Sequence, residues 1–202
     1  MTGRSVGAAL FTFVVAIAMA VAVAVPVSAG AAAPSAVPKK GVSAKNYAHA
    51  LCVDFTAWRA KLQSLTNALS DDTKNLTSID ELKSRTSTYF NDASTATGDL
   101  ADKLDAIGTP KVANGSKISG VVANAIAQVG DAFQSAATQV SGITMTDPTE
   151  FSSEVQTIGN ESGQRISDIG KAVKSAGKRF KATAFNKAEK ADQTCKSLDS
   201  SS

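Results

Sequence analysis

The chain has 202 residues, enough for one domain with a real core, and its 21 Lys/Arg and 18 Asp/Glu leave a formal net charge of only +3. That balance is not typical of a nucleic-acid-binding protein. One histidine and two cysteines are too few for His/Cys zinc sites or for the Glu-x-x-His pairs of di-iron bundles, so we predict no metal or other cofactor.

No sequence motif of a known reaction is present. The chain contains neither a Gly-x-Ser-x-Gly turn nor a Gly-x-x-x-x-Gly-Lys-Ser/Thr phosphate loop. Its carboxylates are numerous, but carboxylates lie mostly at the solvated surface of proteins. We therefore predict that the protein is not an enzyme.

The N-terminus has the pattern of a secretory signal peptide. Arg4 precedes an almost wholly apolar stretch, residues 6–27, that ends in small residues up to Ala29. This predicts a signal peptide over 1–29 and cleavage after Ala29. The alternative is an uncleaved membrane anchor, because about 20 apolar residues can span a bilayer as a helix. Residues 30–42 are predicted to form a flexible linker. No cysteine follows the small residues directly, which disfavours lipid anchoring.

The remainder is predicted to be all-α. The first segment opens at Ser43, a plausible N-cap, and residues 71–75 are predicted to be the loop that ends it. Its apolar stripe consists of Tyr47, Leu51, Phe55, Trp58, Leu62, Leu65 and Leu69.

Start and stop signals delimit three more helical segments. Ser78 and Glu81 form a capping box, and Gly108 with Pro110 ends that second segment. The third segment follows an Asn114-Gly115 turn, and Asp147-Pro148 opens the fourth. Four helices joined by short loops predict an antiparallel up-down four-helix bundle.

The two cysteines, Cys52 and Cys195, predict how the chain ends. A fourth helix that continued unbroken would place Cys195 about 45 Å from Cys52, whereas bridged Cα atoms lie about 5.5 Å apart. A disulfide, favoured in an exported chain, therefore requires a reversal near residues 180–183. A short returning fifth helix, from Ala184 to about Ser197, would then complete a bundle domain over 43–198, followed by a tail over 199–202. Free or intermolecular thiols are the alternative.

Three stretches carry a resemblance to known proteins: the early cluster Tyr47, Cys52 and Trp58, the stretch Ala-Ile-Gly-Thr-Pro-Lys-Val-Ala-Asn-Gly at 106–115, and the terminal Ala-Phe-Asn-Lys-Ala-Glu-Lys-Ala-Asp-Gln-Thr-Cys-Lys-Ser-Leu at 184–198. In these the chain resembles a loose group of small secreted or lipid-anchored helical proteins of actinobacteria. The resemblance implies a secreted or cell-envelope location and a similar bundle, but no active residue. The chain differs from the lipid-anchored members because it lacks their lipidated cysteine.

Charge points to a binding face. Residues 165–196 hold nine Lys/Arg against three acids, whereas residues 71–105 hold eight acids and four bases. Spacings of three and four place four lysines in one row on the fourth helix, hereafter the lysine row: Lys171, Lys174, Lys178 and Lys181. The row predicts attraction to anionic lipid or acidic cell-wall polymer. The alternative is a solvated flank that pairs with acids of the second helix.

A second functional hypothesis uses the aromatic residues. A carrier of a small apolar ligand could hold it between the helices, in a pocket lined by Tyr47, Phe55, Trp58 and Phe90. Aromatic side chains at helical spacing are more commonly plain core. We therefore rank envelope binding first and the carrier second.

Overall fold

The computed structural model describes residues 41–74, 76, 78–180 and 182–200, and this part of the chain is almost entirely helical. The all-α fold class is therefore confirmed. The predicted signal peptide, the linker up to residue 40 and Lys181 lie outside the described residues. Of the predicted tail, residues 199 and 200 belong to the last helix.

Six helices and one short pair of strands make up the described chain. The helices are α1 (Ala44–Thr73), α2 (Ile79–Ile107), α3 (Gly115–Gly142), α4 (Pro148–Arg179), α5 (Thr183–Ala191) and α6 (Gln193–Ser200). The strands are β1 (Gly41–Val42) and β2 (Thr109–Pro110).

The capping residues predicted from the sequence begin three of the four long helices. The hydroxyl of Ser43 accepts from the Asn46 amide, and that of Ser78 accepts from the Glu81 amide. The Asp147 carboxylate accepts from the amides of both Thr149 and Glu150, and Pro148 occupies the first turn. These side chains satisfy amides that have no partner within the helix.

The first helix is longer than its sequence pattern predicts. Residues 71–73 were expected in a loop, but α1 continues to Thr73. Thr73 is buried, and its hydroxyl donates to the carbonyl of Leu69, one turn back. Because this side chain is satisfied inside the helix and shielded from water, the helix extends over the acidic pair Asp71 and Asp72.

One large core cluster draws side chains from all four long helices. Leu69 of α1, Phe90 of α2, Phe133 of α3 and Phe151 of α4 all belong to it. A smaller cluster of Leu100, Leu104 and Ile126 lies between α2 and α3. Within the described residues, no helix is both long enough and apolar enough to cross a membrane.

The start of the described chain is fixed to the α2–α3 connection. β1 pairs in parallel with β2, Gly41 opposite Thr109 and Val42 opposite Pro110, and the Lys111 amide donates to the Val42 carbonyl at 2.7 Å. The last two residues of the predicted linker are thus part of the fold. Nearby, the side-chain amide of Asn114 donates to the carbonyl of Phe180 at 3.1 Å, which brings the start of α3 to the end of α4.

The two terminal helices pack against α1, and a disulfide joins them to it. Cys52 and Cys195 are bridged, with Cα atoms 5.2 Å apart. The ring of Phe185 meets that of Tyr47 edge-on at 5.8 Å. α4 ends at Arg179, within the region where the disulfide requires a reversal.

The predicted single returning helix is instead two. The break falls at Asp192, whose carboxylate accepts from the amides of Thr194 and Cys195 and so begins α6. The sequence pattern gave no sign of this because α5 and α6 are short and share one polar composition. Asp192 also reaches the side chain of His49 on α1, so the break is fixed by a tertiary contact.

At the opposite end, two side chains connect neighbouring helices. The ammonium of Lys83, early in α2, donates to the carbonyl of Ile143 just after α3 at 2.7 Å. Arg85 of α2 forms an ion pair with Asp72 of α1 at 3.2 Å. The end of α1, the start of α2 and the end of α3 therefore lie together.

Candidate functional site

The lysine row lies on the last turns of α4. Its described members differ in their exposure and in whether they form an ion pair. Lys174 and Lys178 are exposed, one turn apart, and neither forms an ion pair within the described part of the chain. Lys171 is half-buried and pairs with Asp168 at 2.7 Å. Two cations of the row are thus available to an external anion, and the third is engaged.

The carboxylate that holds Lys171 is itself perturbed. The hydrogen bond from Lys171, followed by one from Gln164, keeps the pKa of Asp168 below its usual value. Asp168 is therefore charged at neutral pH, and it pairs with Lys171 on the same face of α4. This pair partly supports the interpretation of the row as a solvated flank, although its partner is on the same helix and not on α2.

Two further cations, outside the lysine row, contact the ring of Phe180. The ammonium of Lys117, from the first turn of α3, and the guanidinium of Arg179 each lie 5.9 Å from the centre of the Phe180 ring. Both distances are within the range of a cation–π contact. The basic surface of α4 thus continues onto α3, where sequence reasoning found no candidate because Lys117 is more than fifty residues from the row.

The long helices have two ends of opposite charge. One end lies where Gly41, Pro110, Asn114 and Phe180 come together. We define the basic end as the residues within about two helical turns of this place, together with α5 and Asp192. Its exposed basic residues are Lys45, Lys103, Lys111, Lys117, Lys174, Lys178, Arg179, Lys187 and Lys190, against the four acids Asp102, Asp105, Glu189 and Asp192.

The acidic end comprises the two turns of each long helix, and their described connections, around Asp72, Lys83 and Ile143. Its acids are Asp71, Asp72, Asp80, Glu81, Asp147, Glu150 and Glu154, against the three bases Lys74, Lys83 and Arg85. Counted over the described residues of each end, the formal charge is therefore +5 at the basic end and −4 at the acidic end. This separation is invisible in the net charge of the chain.

The four aromatic residues of the carrier hypothesis are dispersed through the packing. Phe90 belongs to the larger core cluster, Phe55 packs against the smaller one, and Trp58 touches both. The indole nitrogen of Trp58 donates to the hydroxyl of Thr97 at 3.1 Å. The structure brings Phe55 and Trp58 together edge-on at 5.9 Å, while Tyr47 packs on α5.

Tyr47 is fixed as a neutral phenol. Its side chain is buried, and this burial raises the pKa of Tyr47 to about 12. The ring fills the space between α1 and α5 beside the disulfide. Its described environment is that of a packing residue.

A shallow polar groove lies between α3 and α4, next to the start of the lysine row. It is lined by side chains of both charges, among them Gln128 on α3 and Gln164, Arg165 and Asp168 on α4. Sequence reasoning missed it because it combines one residue of α3 with a polar face of α4. Its two acids, Glu161 and Asp168, against one base, Arg165, give it no preference for anions.

His49 and Asp192 form a second polar contact near the disulfide. Nδ1 of His49 lies 2.9 Å from Oδ2 of Asp192, and since a carboxylate can only accept, the imidazole donates. Burial alone would raise the pKa of Asp192, but hydrogen bonds from the Cys195 amide, from His49 and from the Thr194 amide outweigh it and hold that pKa below its usual value. Asp192 thus acts as a charged cap that also ties α6 to α1.

No protein-family model matches the chain, and no curated protein or solved structure is detectably similar to it. Function must therefore be argued from the charge and geometry of this molecule. Among the residues that the structure describes, no three His, Cys, Asp or Glu side chains are grouped so as to hold a metal ion.

Proposed function

We propose that this is an exported, non-enzymatic protein of the cell envelope that binds anionic envelope components through the lysine row of α4. The observation that carries the proposal is the pair Lys174 and Lys178, exposed, one turn apart and without an ion pair in the described chain. Arg179 and Lys117 extend the same positive surface around Phe180.

An extracytoplasmic location is supported by the disulfide. Cys52 and Cys195 are both buried and bridged, and such bonds persist in oxidising compartments. The signal peptide over 1–29, or its uncleaved alternative, is part of this proposal and rests on the sequence. Kinship with the secreted helical proteins of actinobacteria is also part of this proposal and also rests on the sequence.

The architecture that we propose is an antiparallel up-down arrangement of α1 to α4, with α5 and α6 returning along α1. Two sets of contacts support it. The start of α3 meets the end of α4 through Asn114 and Phe180, and the start of α2 meets the end of α3 through Lys83 and Ile143. The lysine row would then end beside the first turns of α1 and α3.

The direct test is retention on vesicles that contain anionic phospholipid. One variant carries Gln at Lys171, Lys174, Lys178 and Lys181. A matched control carries Gln at Lys61, Lys74, Arg85 and Lys196, which removes the same charge away from the row. We expect the row variant to lose retention and the control to keep it.

Salt provides an independent check of the same mechanism. Attraction between exposed charges should disappear near 1 M salt, where the screening length falls to about 3 Å. Retention of the row variant at the level of the wild type would contradict the proposal. So would retention by the wild type that does not change with salt.

A further inference from the structure

We infer that the whole basic end, rather than the flank of α4, meets the membrane, so that the protein stands end-on upon an anionic lipid bilayer. The inference rests on the proposed function and specifies the surface, the partner and the orientation. Its observational basis is the charge separation between the basic end and the acidic end, and the strand pairing that holds Gly41 at the basic end.

The basic end is assembled from six separate segments: α1, α2, the α2–α3 connection, α3, α4 and α5. Lys45 lies in the first turn of α1, Lys111 in the α2–α3 connection and Lys117 in the first turn of α3. The contacts of β1 with β2, and of Asn114 with Phe180, hold these segments next to the end of α4. Lys174, Lys178 and Arg179 of α4 are therefore neighbours of lysines that are distant in sequence.

Local contacts keep two of these lysines on the basic end. The aliphatic stem of Lys111 lies over Gly41, so close that a methyl group on Gly41 would meet its Cγ and Cε at 2.9 Å. The ammonium of Lys117 lies over the ring of Phe180. The stem of Lys111 packs on the protein and the ammonium of Lys117 contacts a ring, while both residues stay exposed and so are open to an external anionic surface.

The distribution of charge over the basic end suits binding to a planar anionic surface better than binding to a linear polymer. Basic residues of this end come from all four long helices, from α5 and from the α2–α3 connection. A linear polymer would be followed by a stripe or a groove, whereas a bilayer presents anionic headgroups across the whole end. The acidic end would be repelled by the same surface, and this repulsion favours one orientation.

The connection to the N-terminal segment favours the same surface. Residue 40 is joined to Gly41, and Gly41 lies in the basic end through its pairing with Thr109. Only thirteen residues, 28–40, separate Gly41 from the apolar stretch 6–27, and the last two of them are Lys39 and Lys40. Any membrane contact of the N-terminal stretch, before or without cleavage, therefore begins beside the basic end.

Three variants of the protein isolated from medium or envelope test the inference, with its N-terminus identified by intact mass. The end variant carries Lys45→Gln, Lys111→Gln and Lys117→Gln, none of which lies on α4. The row variant carries Gln at the four lysines of the lysine row. The matched control carries Lys61→Gln, Lys74→Gln and Arg85→Gln, which changes the net charge as much as the end variant does.

Binding is measured by sedimentation with vesicles of 30% phosphatidylglycerol in phosphatidylcholine, and with vesicles of phosphatidylcholine alone. Each basic residue near an anionic surface contributes to affinity, so we expect the end variant to bind the anionic vesicles at least about tenfold more weakly than the wild type. The control should change by less than about threefold. Far-UV circular dichroism and thermal unfolding verify that all variants are folded.

The outcomes separate the inference from the proposed function. Loss of binding in the row variant, with wild-type binding in the end variant, overturns the end-on contact and leaves the proposed function standing. Binding to an anionic wall polymer but not to the vesicles does the same. Equal binding of the wild type to anionic and neutral vesicles overturns both.

Neutron reflectometry on a supported bilayer of the same composition measures the orientation directly. α4 has 32 residues and is therefore about 48 Å long, so an end-on molecule gives a protein layer near that thickness. A molecule lying on its flank gives about 20–25 Å, two helix diameters. A thin layer contradicts the inference, and so does a layer of several molecules, which would indicate that basic ends bind acidic ends of other copies.

Discussion

The two ends of this molecule are built by different means. At the acidic end, local caps begin two helices, Asp147 on α4 and Ser78 on α2, and Lys83 adds a contact with the carbonyl of Ile143, 60 residues away. At the basic end, the fold depends on partners far apart in sequence, above all Cys52 with Cys195. Both ends thus combine local caps with long-range contacts, but among the described residues the covalent long-range contact is on the side of the basic end.

Removal of the disulfide should have the largest effect on stability, and this effect should differ between the two ends. α5 has no buried residue, so α5 and α6 depend on a few contacts with α1, of which the bridge is the only covalent one. A Cys52→Ser/Cys195→Ser variant should lose about 2–5 kcal/mol of the free energy of unfolding, because the bridge closes a very long loop in the unfolded chain. Denaturant titration of the variant measures this loss.

Hydrogen exchange shows where the same variant is weakened. Amides of α5 and α6 should exchange faster, while amides in the first turns of α2 should keep their protection. The reduced wild type serves as the control and should behave as the double variant does. Equal loss of protection at both ends would contradict the local dependence of the basic end on its disulfide.

This contrast also explains what could be predicted from the sequence. The caps Ser43, Ser78 and Asp147 were predicted because each acts on amides two or three residues away. The reversal after Arg179 was predicted only through the cysteines, since no strong helix breaker occurs there. The break at Asp192 was missed because its cause includes His49, a partner 143 residues away.

The candidate site was predictable to a smaller extent. Helical spacing revealed the lysine row because its members share one helix. Lys45, Lys111 and Lys117 gave no signal, since only the pairing of β1 with β2 and the contact of Asn114 with Phe180 bring them to α4. A surface assembled from separate segments has no spacing rule in the sequence.

A single glycine tests the connection on which the basic end depends. A Cβ on Gly115 would collide with the carbonyl oxygen of Pro110, whereas a Cβ on Gly120, also in α3, would meet nothing within 4 Å. Gly115→Ala should therefore cost roughly 1–3 kcal/mol of the free energy of unfolding through overpacking. Gly120→Ala should instead stabilise by about 0.5–1 kcal/mol, because alanine is the better helix former.

The two glycine variants form a matched pair, since each adds one methyl group to the same helix. Chemical denaturation at one pH measures both. If Gly115→Ala proved as stable as Gly120→Ala, the α2–α3 connection would not be closely packed against the start of α3. The assembly of the basic end would then need another explanation.

The smallest expected effect concerns the charge of Asp192. Its pKa is held below the usual value when the protein is folded, so the charged carboxylate stabilises the fold above the unfolded pKa of about 3.8. Asn can accept the same two backbone hydrogen bonds, so Asp192→Asn keeps the cap but removes the charge and the oxygen that accepts from His49. The wild type should be the more stable protein at pH 6. Its advantage should shrink as the pH falls below about 4, because Asp192 then takes up a proton.

Two measurements separate this effect from a general loss of carboxylate charge. A carbon-13 titration of the Asp192 carboxyl should give a pKa below its usual value, and in a His49→Ala variant that pKa should rise because one hydrogen-bond donor is lost. In the same His49 variant, the difference in free energy of unfolding at pH 6 between the proteins with and without Asp192→Asn should become smaller. Because Asn keeps the backbone cap, an advantage of the wild type that stayed constant from pH 6 to pH 2 would show that the charge of Asp192 does not stabilise the fold, and the interpretation of Asp192 as a charged cap would be wrong.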